Sequence, residues 1–346
     1  GSPETAAPSL GSAALPTASI EDLQPRLVLP LIAAPMFLVS GVDLVSAACA
    51  EGVVGSFPTV NCRTADQLDA WLRDLTARLS RAADATGRAP APWCPNLVVH
   101  KTNPRLMDDL AVLVRHRPEL VITSVGSPAP VLGPLHDVGT RVFVDVATIR
   151  HAERAVQAGA DGLVLLTAGA GGQTGWINPL AFVRAVRAFF DGPLVLAGGV
   201  GDGAALFATQ AMGCDLAYMG TKFIATTESM AKEAYKHMLV DSRADDVLAT
   251  RALTGLEVNM LRPSMVAAGL DPDNLPTRGA IDIAKDISIE ARENRPQRWK
   301  DVWSAGHSVS GVDAIRSVHD LVAQTRREYE MARSQFEARL ARTPRG

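Results

Sequence analysis

Apolar residues fall in short runs along this chain, and each run gives way to a stretch with a different rhythm. The runs cover 27–36, 52–60, 95–100, 120–125, 141–147, 162–167, 193–197 and 216–220. They end in Gly, Pro or small polar residues, as buried strands do. Between them, apolar positions return every three or four residues. In 65–81, Leu68, Trp71, Leu72, Leu75 and Leu79 share one helical face. The segment 104–115 opens with Pro104 after Asn103, where a missing N–H costs nothing. The segments 149–158, 179–190 and 203–212 repeat the scheme. Eight strand–helix units predict an α/β fold, a (β/α)8 TIM barrel. An open doubly wound sheet would place a glycine-rich turn after its first strand. Here the first run ends Ala33-Ala34-Pro35-Met36, and the dense glycines follow the sixth, seventh and eighth runs.

After Phe223 the alternation stops. The spacing predicts a helix over 225–240. A polar stretch over 241–306, with Pro263, Pro272, Pro276 and Pro296, reads as a lid or substrate domain over the barrel mouth. A long charged helix over 311–342 follows. The expected organisation is a disordered tail at 1–22, a barrel at 23–240, the lid at 241–306 and a C-terminal helical segment at 307–346 packing on the barrel.

Composition narrows the function. The 346 residues exceed the roughly 250 of a bare barrel, and 47% hydrophobic content fills a large core. A net charge of −3 gives no drive toward nucleic acid. No apolar run reaches the roughly 18 residues of a membrane span. The Ala/Ser/Pro-rich start has no basic segment, so it does not read as a signal peptide, and a cytoplasmic enzyme is expected. Cys49, Cys62, Cys94 and Cys214 are scattered without a CxxC and read as reduced core thiols, not as metal ligands.

Three glycine-bearing strings carry candidate chemistry. Ala197-Gly198-Gly199-Val200-Gly201-Asp202-Gly203 runs from the seventh strand into a helix, where glycine admits an anion close to the backbone and a helix start offers free N–H groups. Met219-Gly220-Thr221-Lys222-Phe223 ends the eighth strand and adds backbone and hydroxyl donors. Loops after strands seven and eight often converge on a phosphate. Ala168-Gly169-Ala170-Gly171-Gly172-Gln173-Thr174-Gly175-Trp176 follows the sixth strand and can lie flat against a planar ligand. Each string can also be read as a tight turn or a flexible loop.

Together with 33–36 and Trp303-Ser304-Ala305-Gly306-His307, these strings resemble the nitronate monooxygenase (2-nitropropane dioxygenase) family over about 27–320. The resemblance implies an FMN-bearing barrel with an inserted substrate-side domain. It implies FMN phosphate held by Gly198, Gly199, Gly220 and Thr221, with Gly201 and Met219 beside them. Flavin contacts from Ala34, Pro35, Met36, Asn96, and from Ala170, Gly171, Gly172 and Gln173 follow likewise. Family members usually carry a base histidine in the sixth-strand loop, and this chain reads Gln173 there. An amide is no general base near neutral pH. Asp145 stands where some relatives have lysine, and it could act as a base, hold a ribityl hydroxyl or simply satisfy backbone N–H groups.

Candidates to replace the histidine are His100, at the end of the third strand, and His307, before the last helix, with Asp145 as a third. His151 reads as structural. Lys101 and Arg262 could supply charge for an anionic substrate, and Ser124 and Ser127 could line the pocket. The function read from this is an FMN-dependent oxidoreductase of a small molecule, with oxygen or NAD(P)H as redox partner and a homodimer left open. A reductase or dehydrogenase of a carbonyl, enoyl or acyl-CoA substrate is the alternative. A non-catalytic flavin-binding module is the third reading.

Overall fold

A computed structural model describes residues 19–275, 279–287 and 301–344. Eight parallel strands close a barrel: β1 (Leu31–Ala33), β2 (Val54–Pro58), β3 (Trp93–Val98), β4 (Leu120–Ser124), β5 (Arg141–Val146), β6 (Gly162–Leu166), β8 (Leu194–Ala197) and β9 (Leu216–Met219). β1 closes the ring by pairing with both β2 and β9. Nearly every strand residue is buried, because one face meets the barrel interior and the other meets helices. The expected TIM barrel is therefore the fold.

Strand ends differ from the sequence pattern for physical reasons. The run 27–36 keeps only Leu31–Ala33 as strand, since Pro30 and Pro35 have no N–H to give a ladder. The run 95–100 becomes Trp93–Val98, and His100 falls in the following turn.

The helices form the outer ring. In α2 (Ala65–Thr86), Thr64 accepts the Gln67 N–H as cap, and Leu68, Leu72, Leu75 and Leu79 are buried. α5 (Ile149–Ala158) and α7 (Gly203–Met212) match their predicted spans and are capped by Thr148 and Asp202. The helix predicted at 104–115 starts later, as α3 (Leu106–His116), and that at 179–190 stops earlier, as α6 (Pro179–Arg187). Of the helix predicted over 225–240 only the second half forms, as α9 (Glu233–Asp241); 225–232 is largely turn and bend, and a short helix, α8 (Thr221–Ile224), precedes it. The last helix begins seven residues later than its pattern suggests, as α12 (Val318–Arg342).

Inside the barrel, side chains from alternate positions stack in layers. Ile32, Val54, Cys94, Leu120, Phe143, Val164, Val195 and Leu216 belong to this interior. Ile20 and Leu23, 4% and 1% exposed, join the same cluster, so the ordered core reaches into the segment expected as tail. Residues 1–18 of that tail lie outside the described residues.

The stretch 241–306 holds structure of its own. β10 (Val247–Thr250) and β11 (Val258–Leu261) pair antiparallel, and β11 also pairs with β7 (Gly172–Gln173), a short strand donated by the sixth barrel loop. Val258, Met260, Met265 and Val302 form a small separate core there. Ile281, Ile283 and Ile287 pack on Val60, Val98 and Val125 above β2–β4. Pro276 and Pro296 lie outside the described residues. No helix among the described residues is long and apolar enough to cross a membrane.

Candidate functional site

A cavity of about 510 Å³ opens at the carboxyl ends of the barrel strands. That size suits a small molecule or cofactor, and that face is where barrels do chemistry. Its floor is the top interior layer: Ala34, Asn96, Ser124, Asp145, Ala197 and Tyr218. Asn96 is held by donating to the Ile122 carbonyl (3.1 Å) and the Ser124 hydroxyl (3.2 Å).

Two polar atoms on this floor have no hydrogen-bond partner among the described residues: Asp145 Oδ1 and Tyr218 Oη, both shielded from solvent. Burial pushes the Asp145 carboxyl up to about 8, so at neutral pH it is an acid with its proton on. Burial, then the charge of Asp145, pushes the Tyr218 phenol well above its ordinary value. Unpaired buried polar groups are costly. Two facing one cavity mark a place where a polar ligand completes the structure.

The rim carries the glycine strings. Gly198 and Gly199 hold φ of +142° and +79°. A Cβ at 198 would lie 2.2 Å from Thr167 Oγ1, whereas one at 199 would meet nothing within 4 Å. The turn therefore presents backbone to the cavity beside Gly220 and Thr221, which also line it. The Thr221 hydroxyl accepts the Gly306 N–H (3.0 Å), leaving its own proton to donate inward.

The start of α7, the expected anion seat, is already capped: Asp202 accepts from Ala205 N (2.8 Å), and Glu328 of α12 approaches Gly203 N (3.5 Å). The open donor surface is accordingly the Gly198–Gly199 turn. Gly201 packs under Ser308 and Met219 turns into the helix-facing core, so neither lines the cavity. Tyr218, missed in the sequence, takes the inward place because side chains alternate along β9.

Ala34, Pro35 and Met36 line the opposite wall, and Asn61 shapes their loop. Its side chain accepts from Leu38 N (2.8 Å) and donates to the Met36 (3.0 Å) and Ser40 (2.8 Å) carbonyls. Ala170, Gly171, Gly172 and Gln173 form a third side. Asn259 of β11 fixes this loop, donating to the Ala170 carbonyl (2.8 Å) and the Thr174 hydroxyl (3.2 Å) from a buried position. Asn259→Ala is expected to cost about 1–3 kcal/mol, the price of unpaired buried acceptors. Hydrogen exchange should rise across 168–176 alone; an unaltered exchange pattern would deny Asn259 that role.

The two histidines proposed from the sequence do not meet at this cavity. His100 Nδ1 lies 2.8 Å from Thr102 Oγ1, which in turn accepts from Ile283 N (2.8 Å). His100 thus anchors the covering segment and faces a second, adjoining cavity. His307 is exposed, with its ring against Gly169 and its N–H bonded to the Gly169 carbonyl (2.9 Å). Gln173 and Asp145 are brought together with Leu166, since all three line both cavities.

The sequence profile of the nitronate monooxygenase family matches residues 24–328. This chain belongs to the nitronate monooxygenase family. A nitronate monooxygenase of Paraburkholderia phytofirmans is 28% identical over 346 aligned positions, covering 89% of this chain and 94% of that one. The structure of a nitroalkane oxidase from Streptomyces ansochromogenes superposes with a TM-score of 0.72 at 25% identity, covering 90% of this chain and 99% of that one. FabK from Thermotoga maritima shares the fold, with a TM-score of 0.73 at 21% identity over 92% of this chain and 98% of that one. As a member of the nitronate monooxygenase family, the protein is a flavin-dependent oxidoreductase acting on a small molecule. The non-catalytic module is thereby set aside, and the enoyl or acyl-CoA reductase is not favoured.

Proposed function

We propose that the protein binds FMN in the mouth cavity and oxidises nitronates, with oxygen as the electron acceptor. The observation that carries this reading is the pairing of an open Gly198–Gly199 turn with orphaned polar atoms on the floor below it, in a chain of this family. These features suit a phosphate at one end and a polar ring or chain at the other. Gly198, Gly199, Gly220 and Thr221 would hold the phosphate. Ala34–Met36 and Asn96 would flank the ring, with Ala170–Gln173 on the open side.

Bound FMN would supply the capacity to take electrons from the substrate. The residues do the rest. Gly199 and Thr221 would donate to the phosphate. Asp145 keeps a proton at neutral pH and can give it at Oδ. Tyr235 and Trp303, stacked with centroids 5.0 Å apart, exclude water on the substrate side. The segment 241–306 acts as the substrate-side domain in this reading.

Gln173 stands at the position of the family's base. A nitronate arrives already deprotonated, so it needs no base, whereas a neutral nitroalkane does. Anaerobic mixing tests the reading: propyl-2-nitronate should bleach the flavin. Bleaching by NAD(P)H alone, or a protein that cannot be reconstituted with FMN, would overturn it. Gln173→His should raise turnover of neutral 2-nitropropane by about 10²-fold, the scale of general-base catalysis. An unchanged rate would show that residue 173 does not reach the substrate proton.

A further inference from the structure

The second cavity, about 810 Å³, runs outward from Asp145, Leu166 and Gln173 between the loops after β4, β5 and β6. Its inner walls are apolar: Val125, Val144, Val146, Leu256 and Ile281. Its outer end changes character. His151, Arg154 and Arg251 line it, against a single carboxylate there, Glu257, which Arg251 already pairs (3.0 Å). The Arg154 side chain is exposed and makes no hydrogen bond or ion pair among the described residues.

Two local features run against folding preference at this place. The first turn of α5 has no acidic residue and carries Arg150 and His151 instead. Cations at a helix N-terminus oppose the dipole and the free N–H groups. Val125, a β-branched residue, sits at φ +61°, in the left-handed region that such residues avoid. Rule-breaking of this kind persists where a site needs it. The start of α5 is itself capped, Thr148 accepting the His151 N–H (3.1 Å), so an anion in this cavity would meet the cationic side chains Arg154 and His151 and not free N–H groups.

We infer that this corridor binds the tail of the substrate, an aliphatic chain ending in an oxyanion, with Arg154, flanked by His151, as the anion seat. It rests on the nitronate reading only in placing the reacting end at Asp145 and Gln173. A cavity of about 810 Å³ takes a chain of several carbons and not a single one. Carboxylate and phosphate share the chemistry that would be recognised.

Binding of octanoate, octyl phosphate and octanol to the purified holoprotein, by titration calorimetry, tests this without turnover. Octanoate or octyl phosphate should bind at least about tenfold more tightly than octanol, a difference one good charge-assisted contact supplies. The stronger of the two identifies the tail. Arg154→Glu should abolish that preference while the flavin content stays the same. Equal binding of all three probes, or a preference that survives Arg154→Glu, would overturn the inference. Failure of propyl-2-nitronate to bleach the flavin would instead strike the proposed reaction and leave this binding result standing.

Discussion

Replacing Gly199 by aspartate should yield a folded, colourless protein. A side chain at 199 meets no atom within 4 Å, so packing survives. The φ of +79° is strained for an L-residue, but Asp and Asn visit this region more readily than most. What the new carboxylate does is occupy the cavity side of the turn, where the phosphate would sit. Like charges in contact at a partly buried site cost several kcal/mol, which corresponds to a loss of FMN affinity of about 10³-fold. Gly199→Asn is the matched control, with the same shape and no charge. It should lose far less affinity. Flavin absorbance after reconstitution, alongside circular dichroism, reads both. A yellow Gly199→Asp protein would remove the phosphate from this turn.

The second large effect is expected at Asp145. The folded carboxyl holds its proton up to about pH 8, while the unfolded chain releases it near 3.8. Between these values the unfolded state binds fewer protons, so stability falls as pH rises. Asp145→Asn removes this dependence. The variant should match the parent near pH 4 and gain steadily toward pH 8, by about 2–4 kcal/mol at pH 7 in the flavin-free protein. Urea unfolding at several pH values measures it; a gain that does not change with pH would refute the buried, proton-bearing acid.

Catalysis should move the opposite way. If Asp145 gives a proton to the reacting partners, Asp145→Asn lowers turnover about 10²-fold and erases the alkaline limb near pH 8. A parent-like rate with a parent-like pH profile would confine Asp145 to a structural part.

The barrel was legible because parallel strands buried on both faces leave unbroken apolar runs, and eight such runs allow few other folds. Their ends were less so, since Pro30 and Pro35 shorten β1 without changing its hydrophobicity. Glycine strings located the cavity rim, but they could not separate Gly198 and Gly199, which face it, from Gly201, which packs on Ser308. Tyr218 could have been found: counting alternate positions inward from Leu216 selects it over Met219. Asn259 could not, because its partners lie 85 and 89 residues away and nothing local marks it. The histidines could not be placed from the sequence for a related reason. A titratable ring at a strand end is a good prior, but only the folded loops decide that His100 braces Thr102 and that His307 faces solvent.

The strand formed by Gly172 and Gln173 has a consequence for how members of this family can be recombined. Because Gln173 is hydrogen-bonded in register with Val258, its position is set jointly by the barrel loop and by the hairpin 247–261. Exchanging that hairpin between homologues would therefore shift the residue at 173 along with the pocket wall. The cavity wall and the placement of residue 173 are inherited as one cassette, and chimeras cut within it should lose both together.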